Sequence, residues 1–277
     1  MFMPAFWSFG RQREEQPELE VRHRLPDERR FKTPLVFVHG AFVGAWCWDE
    51  HFLAWFADQG FEVFAPSLRG HGTSGGRLET SGVLDYVDDL ASVIAQLPVA
   101  PVIVAHSMGA LVAQRYLESH SVPASVLMAS VPLAGLTESS MRLLSGDPVL
   151  LGQMALMQIA PSAVDPRVAQ RAMFSEDLDP ELLARYASAT QPESQHALWD
   201  MTLGVLPRPW LVPRHPMLVI GAENDRLFSP SEVERTAAAY HAPVHIAPDM
   251  AHAMMIEAGW QGIAERIRDW LAATGID

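Results

Sequence analysis

The sequence predicts an α/β fold in which a mostly parallel, doubly wound sheet carries an inserted helical segment. Short β-branched runs alternate with longer amphipathic ones, a pattern typical of parallel sheets with helices on both faces. The 277 residues are 49% hydrophobic and 9% aromatic, which is enough to bury a large core. Residues 133–213 break the alternation, because they contain no convincing strand and carry eight prolines.

Seven runs are predicted as strands. The first, residues 19–25, alternates apolar and polar positions as a half-exposed strand does, and the other six are apolar enough to be buried. Those six are residues 34–38, 61–65, 101–105, 124–129, 216–220 and 243–247. Helices are predicted over residues 46–59, 83–97, 108–119, 231–240 and 254–272.

These elements divide the chain into three parts. Residues 1–30 form an amino-terminal arm and the first strand, and residues 31–132 and 214–277 form the α/β core. Residues 133–213 are predicted to be a helical cap inserted into that core.

Charge and cysteine content narrow the class of protein. Acidic residues outnumber basic ones by 33 to 20, and a net charge of −13 opposes binding to nucleic acid or to anionic membranes. A single cysteine, Cys47, allows no intrachain disulfide and favours a reducing, cytoplasmic location. The apolar residues 1–10 lack a leading basic region and are interpreted as an extra strand or a docked tail, with lipid contact left open. We expect no stable membrane insertion, and the oligomeric state cannot be read from the sequence.

The stretch PVIVAHSMGALVAQRYL, residues 101–117, runs from an apolar strand through Ser107 into a helix. Ala105 and Gly109, two positions before and after Ser107, leave room around its hydroxyl. Ligands of doubly wound sheets bind beyond the carboxyl ends of the strands, where the first N–H groups of a helix stabilise an anion. The pattern indicates a nucleophile elbow, although Ala105 stands where the usual motif has glycine.

A serine nucleophile needs a base that is held by a third group. Of the eleven histidines, His252 lies between the last predicted strand and the last predicted helix, at the edge where Ser107 emerges. Asp225 and Glu223 both follow the strand at 216–220; Asp225 is favoured because a turn follows it, and Glu223 is the alternative. The order Ser107, Asp225, His252 is typical of one fold in particular.

Five segments carry a resemblance to a known family. They are VFVHGAFVGAWCW (36–48), SLRGHGTSGG (67–76), AHSMGA (105–110), GAENDRLFSP (221–230) and AHAMMIE (251–257). The chain resembles the α/β-hydrolase superfamily, as a serine esterase or lipase-like member. This resemblance implies an oxyanion hole formed by the backbone N–H groups of Ala41 and Met108, with His39 and Gly40 as scaffold.

The resemblance implies hydrolysis of carboxylic esters through an acyl-enzyme, with no cofactor. Serine at position 107 excludes those relatives whose nucleophile is aspartate. Cyanohydrin lyases of this fold use a lysine in the cap, but the one lysine of this chain, Lys32, lies far upstream of the cap, which argues against that activity. No metal is expected, because the histidines lack the His-Glu-x-x-His spacing. Thioesterase, lactonase, perhydrolase and carbon–carbon bond hydrolase activities use the same triad and stay open, as does a small-molecule receptor with slow turnover.

The predicted cap suggests the substrate class. Residues 141–160 are rich in leucine and methionine, so part of this segment is expected to pack on the core and the remainder to roof Ser107. The expected partner is a small to medium hydrophobic ester. Its predicted contacts are Phe42, His106, Met154 and Met157.

Overall fold

The computed structural model describes residues 16–159, 163–175 and 178–276, so the predicted tail at residues 1–10 lies outside the described residues. Its strands are β1 (Val21–Arg24), β2 (Leu35–Val38), β3 (Val63–Pro66), β4 (Val102–His106), β5 (Ser125–Met128), β6 (Met217–Ala222) and β7 (Val244–Ala247). They form one sheet in the order β1-β3-β2-β4-β5-β6-β7. β1 pairs antiparallel with β3, and the other pairings are parallel. The predicted fold class is therefore confirmed.

Helices cover both faces of the sheet. They are α1 (Trp46–Asp49), α2 (Phe52–Asp58), α3 (Val83–Ile94), α4 (Met108–Leu117), α5 (Thr137–Gly146), α6 (Pro148–Ile159), α7 (Pro166–Met173), α8 (Pro180–Ala189), α9 (Gln195–Trp199), α10 (Pro230–Tyr240) and α11 (Trp260–Ala273). Helices α5 to α9 lie between β5 and β6, in the segment predicted as a cap. In the part of the chain that the structure describes, no helix is both long and apolar enough to cross a membrane.

Two predicted helices differ from the observed ones. The helix predicted from residue 254 begins at Trp260, because residues 251–259 form turns in which the Glu257 carboxylate accepts a hydrogen bond from the Ala251 N–H at 2.8 Å. The helix predicted over 46–59 is interrupted at Glu50 and His51. That interruption lets the His51 imidazole stack on Trp260, with ring centroids 4.6 Å apart.

The sheet separates two apolar layers, and β2 illustrates how. Leu35 and Phe37 pack into the layer that contains α1, α2 and α11, whereas Val36 and Val38 pack into the layer that contains α3, α4 and α10. All four side chains are fully buried, as expected for a central strand whose successive side chains point to opposite faces.

Gly109 makes the closest contact between α4 and the sheet. A Cβ atom built on Gly109 would lie 2.6 Å from the carbonyl oxygen of Val38 and 2.4 Å from that of His39. Both atoms are backbone atoms next to the sheet's centre, so they cannot move aside as a flexible side chain could. Helix α4 therefore approaches β2 at this distance only with glycine at position 109.

We predict that Gly109→Ala lowers the free energy of unfolding by about 3 kcal/mol, through the overpacking that this clash causes. Gly262 is a matched control, because it also lies in the first turn of a helix and has no atom within 4 Å of a Cβ built on it. Gly262→Ala should raise stability by about 0.5–1 kcal/mol. Urea unfolding of both variants measures the difference, and equal effects would contradict the packing argument.

His39 follows β2 and is fully buried. Its Nδ1 lies 2.8 Å from the Gly40 carbonyl oxygen, and its Nε2 accepts a hydrogen bond from the Leu68 N–H at 2.9 Å. These partners require a neutral ring with its proton on Nδ1. Burial, together with the neighbouring His71, lowers the pKa of His39 to about 3.

This lowered pKa predicts an acid-sensitive fold. Below pH 6.5 the His39 ring takes up a proton in the unfolded chain, whereas in the folded chain it stays neutral down to about pH 3. The contribution of His39 to the free energy of unfolding is therefore fully present above pH 6.5 and decreases as the pH falls. Between pH 6.5 and 5 the loss from this histidine is about 1.5 kcal/mol. The His39→Gln variant, although less stable throughout, should lose about 1.5 kcal/mol less over that range. Urea unfolding at both pH values gives the two slopes; identical slopes would contradict the prediction.

Candidate active site

Ser107 joins β4 to α4 in a strained turn. Its φ of 53° and ψ of −118° lie in a region that residues with a side chain rarely occupy, at a cost of about 1–3 kcal/mol. The neighbouring backbone holds this conformation: the Ser107 N–H donates to the Met128 carbonyl at 2.9 Å, and the Ser107 carbonyl accepts from the Ala110 N–H at 3.1 Å. The hydroxyl therefore projects from the carboxyl edge of the sheet.

His252 connects Ser107 to Asp225. Its Nε2 lies 3.1 Å from the Ser107 Oγ, and its Nδ1 lies 2.8 Å from the Asp225 Oδ2. The three residues come from positions up to 145 apart in the sequence, and all three are buried. The structure thus brings together the serine, histidine and aspartate that the sequence predicted as one group.

Asp225 is held in place by the turn that follows β6. Its Oδ1 accepts hydrogen bonds from the backbone N–H groups of Leu227 at 2.8 Å and Phe228 at 3.0 Å, which leaves Oδ2 for His252. Glu223, the alternative acid, is exposed, and its carboxylate accepts from the Asp249 N–H at 3.3 Å. The geometry at His252 therefore favours Asp225.

His106, predicted as a substrate contact, has a different environment. It is buried, and its Nε2–H donates to the carbonyl oxygen of His252 at 2.9 Å. Its ring lies 4.7 Å from the His252 ring, and burial together with this neighbour lowers the pKa of His106 well below its usual value. His106 is therefore an uncharged residue that holds the backbone of His252 in place. Its position in the sequence did not reveal this role.

Ala41 and Met108, the predicted oxyanion-hole residues, lie on two sides of Ser107. Met108 is the first residue of α4, and Ala41 follows Gly40, whose Cβ position would be 3.0 Å from the Ser107 Cβ. Glycine at position 40 therefore allows the loop of Ala41 to come close to the serine. Within the described residues, neither backbone N–H donates to another protein atom.

The other predicted substrate contacts lie at the insertion or beside it. Phe42 is half-buried and has a φ of 69°. Met154 on α6 packs against the buried cluster of Leu143, Leu150 and Ala172, and Met157 is half-buried about one turn further along the helix. Phe228 was not predicted, but its ring meets the His252 ring edge-on at 5.3 Å and supplies an apolar wall.

Arg142 of α5 binds the loop that carries Asp225. Its guanidinium donates to the carbonyl oxygens of Arg226 at 3.0 Å and Leu227 at 2.7 Å, and it pairs with the buried Glu232 at 3.0 Å. Glu232 in turn caps the first turn of α10 through Ser229. The insertion thus fixes the acid's loop from outside the core.

Two further contacts of the insertion reach the other loops of the site. The Gln191 N–H donates to the Phe42 carbonyl at 2.9 Å, next to Ala41, and the Ala253 N–H donates to the Met173 carbonyl at 2.8 Å, next to His252. The carboxylate of Glu257 also accepts a hydrogen bond from the backbone N–H of Ser175. The loops that carry Ala41, Asp225 and His252 are therefore all hydrogen-bonded to the insertion.

A buried ion pair completes this attachment. Glu193 lies 3.0 Å from the Nε2 of His71 and accepts a hydrogen bond from the Tyr86 hydroxyl at 2.8 Å. Burial opposes a charge on His71, but the Glu193 carboxylate outweighs it and raises the pKa of His71. The separation of 122 residues between the partners left no signal of this pair in the sequence.

Among the described residues, no group of three or more histidine, cysteine, aspartate and glutamate side chains is arranged to hold a metal ion.

Two curated proteins are similar to part of this chain. A probable lysophospholipase L2 of Haemophilus influenzae is 31% identical over 129 residues, which cover 43% of this chain and 41% of that protein. A non-heme haloperoxidase of Rhodococcus erythropolis is 34% identical over 103 residues, which cover 36% of this chain and 37% of that protein. The chain thus spans about two fifths of the length of these relatives.

A solved structure shares the fold over nearly the whole chain. An esterase from Exiguobacterium antarcticum superimposes with a TM-score of 0.75 over 92% of this chain and 96% of its own, at 14% sequence identity. The sequence profile of the Alpha/beta hydrolase family matches residues 35–266. This stretch contains the whole Ser107–His252–Asp225 group and all strands after β1, and the chain belongs to the alpha/beta hydrolase family.

Proposed function

We propose that this chain is a serine hydrolase that cleaves carboxylic esters of small to medium, hydrophobic substrates through an acyl-enzyme. The observation that carries the proposal is the hydrogen-bonded series from the Ser107 Oγ to His252 at 3.1 Å and from His252 to Asp225 at 2.8 Å. This series is the arrangement that turns a serine hydroxyl into a nucleophile at neutral pH.

In the first step, His252 takes the proton of the Ser107 hydroxyl as the oxygen attacks the ester carbonyl. The carbonyl oxygen becomes an anion, which the backbone N–H groups of Ala41 and Met108 are free to bind. His252 then gives its proton to the leaving alcohol, and the acyl group stays on Ser107.

In the second step, His252 takes a proton from a water molecule, which attacks the acyl-enzyme and releases the acid. Asp225 keeps His252 in the tautomer with its proton on Nδ1 and stabilises the ring while it is charged. The neutral state of His106 supports this role, because a charge 4.7 Å away would oppose the imidazolium.

The relatives support ester cleavage without fixing the substrate. Their names include a lysophospholipase and an esterase, both of which act on ester bonds, and a haloperoxidase, which is named for a different reaction. A panel of an ester, a thioester, a lactone and a peroxide-dependent halogenation assay separates these chemistries in one preparation.

The proposal predicts how the triad variants behave. Ser107→Ala should lower kcat for a nitrophenyl ester by about 10⁴-fold or more, and Asp225→Asn by about 10³–10⁴-fold, because the amide favours the wrong tautomer of His252. Glu223→Gln should stay within about twofold of the wild type, since its exposed carboxylate does not touch His252.

Stopped-flow or steady-state assays with urea unfolding as a folding check measure these effects. A folded Ser107→Ala variant that keeps most of its activity would refute the nucleophile. Similar losses in Asp225→Asn and Glu223→Gln would move the acid elsewhere.

The apolar surroundings of the site predict a chain-length preference. Phe228 is buried beside His252. In the insertion, Met154 packs against a buried cluster of Leu143, Leu150 and Ala172. Apolar side chains of this kind favour an uncharged acyl group. Each buried methylene contributes about 0.8 kcal/mol, so kcat/KM should rise about fourfold per methylene from acetate until the pocket is filled. Nitrophenyl acetate, butyrate and hexanoate at fixed pH test this; a flat or falling series would refute the apolar acyl site while leaving the triad untouched.

A further inference from the structure

A second cavity lies at the opposite edge of the sheet from Ser107. It has a volume of about 1160 Å³, near the upper end of cavities that hold small organic ligands. Met217 at the start of β6 and Tyr240 at the end of α10 form its floor, and the segment after the π-helical turn Asp200–Gly204 forms its wall. The residues that line it include no member of the triad, of the predicted oxyanion hole or of the predicted substrate contacts, so this cavity is separate from the proposed active site.

The charge of the cavity is opposite to that of the protein. Arg208, Arg214, His215 and His241 line it, and none of its lining residues is an aspartate or a glutamate. This occurs in a chain with 33 acidic and 20 basic residues. The lining of the cavity is therefore locally more favourable to an anion than the acidic protein as a whole.

Within the described part of the chain, Arg214 is the arginine of this cavity that is left without a partner, and the His241 side chain also has none. Arg208 is held by Glu118 through two hydrogen bonds of 2.9 and 2.5 Å. His215 uses both ring nitrogens, toward the Ser125 hydroxyl and the Pro213 carbonyl. Arg214 is exposed and makes no hydrogen bond or ion pair with the described residues. One free guanidinium matches one negative charge, as a carboxylate carries at neutral pH.

The same cavity exposes apolar surface to solvent. Trp210 is 77% exposed and Leu203 is 60% exposed, and both line the cavity with Leu206 and Val212. Clustered exposed side chains of this size mark binding surfaces on proteins. Pro207, Pro209 and Pro213 restrict the backbone of the wall, so a ligand would order little of it on binding.

We propose that this cavity binds a small amphipathic carboxylate, whose charged group pairs with Arg214 and whose apolar chain lies against Trp210 and Leu203. The charge complementarity selects an anion over a neutral or cationic ligand, and the exposed tryptophan selects an apolar chain over a simple ion. Binding here involves no step of ester cleavage and does not depend on the triad.

Isothermal titration with four probes tests the proposal: octanoate, 1-octanol, acetate and octylammonium. We expect octanoate to bind, octanol to bind more weakly, and acetate and octylammonium not to bind at this site. Arg214→Gln should weaken octanoate about fivefold and leave octanol unchanged, because it removes the charge pair alone. Trp210→Ala should weaken both about fivefold, because it removes the apolar contact.

Matched variants outside the cavity are the controls. Arg77 is an exposed arginine without a side-chain partner among the described residues, and Trp199 is 65% exposed on α9. Arg77→Gln and Trp199→Ala should leave octanoate binding unchanged. All four positions are exposed, so the variants are expected to fold, and thermal unfolding checks this.

Four results would overturn the proposal. The first three are equal binding of octylammonium and octanoate, octanoate binding that Arg214→Gln and Trp210→Ala leave intact, and a cavity covered instead by a second copy of the chain. The third appears as a dimer in sedimentation that Trp210→Ala dissociates and that octanoate does not enter. Binding that is confined to phosphatidylglycerol vesicles, with no binding of monomeric octanoate, would equally refute a small-molecule site.

Discussion

The close approach of α4 to β2 is the constraint on which the proposed site depends. Glycine at position 109 lets the helix start within contact of the Val38 and His39 carbonyls, directly after Ser107 with its strained φ of 53°. The strain is balanced by buried packing, since nine of the ten residues of α4 are buried. The same approach brings the loop after β2, with Gly40 and Ala41, against the serine. One short contact between backbones therefore sets both the nucleophile and its surroundings.

The insertion acts on this frame from the other side. Arg142, Gln191 and Met173 bind the loops that carry Asp225, Ala41 and His252, so the insertion adds hydrogen bonds to three loops that follow strands of the sheet. The Glu193 carboxylate of the insertion is buried. His71, the Tyr86 hydroxyl and the Ser194 N–H all bind it, and these contacts offset the cost of burying its charge. A segment with so many polar attachments stabilises the arrangement of the site.

The sequence predicted what depends on local pattern. The seven strands, the parallel sheet and the turn at Ser107 follow from periodicity and from the small residues at 105 and 109, because these determine backbone geometry nearby. The helix predicted from residue 254 was wrong at its start, since the Glu257 carboxylate satisfies the Ala251 N–H and holds a turn where apolar spacing alone indicates helix. Two features depend instead on contacts between residues that are 27 to 146 positions apart. They are the choice of Asp225 over Glu223 and the role of His106, and the spacing of residues along the chain does not reveal such contacts.

Two helices join the proposed active site to the second cavity. Helix α4 begins directly after Ser107 and ends beside Glu118, which binds Arg208 of the cavity wall. Helix α10 begins after the loop of Asp225 and ends at Tyr240 on the cavity floor. A ligand in the cavity affects the triad only if it binds two arrangements of these helices with different affinity. The packing of α4 opposes a second arrangement, because Gly109 lies so close to the Val38 and His39 carbonyls that even a Cβ atom has no room there. The rigidity that fixes the nucleophile is thus the same property that separates the two sites.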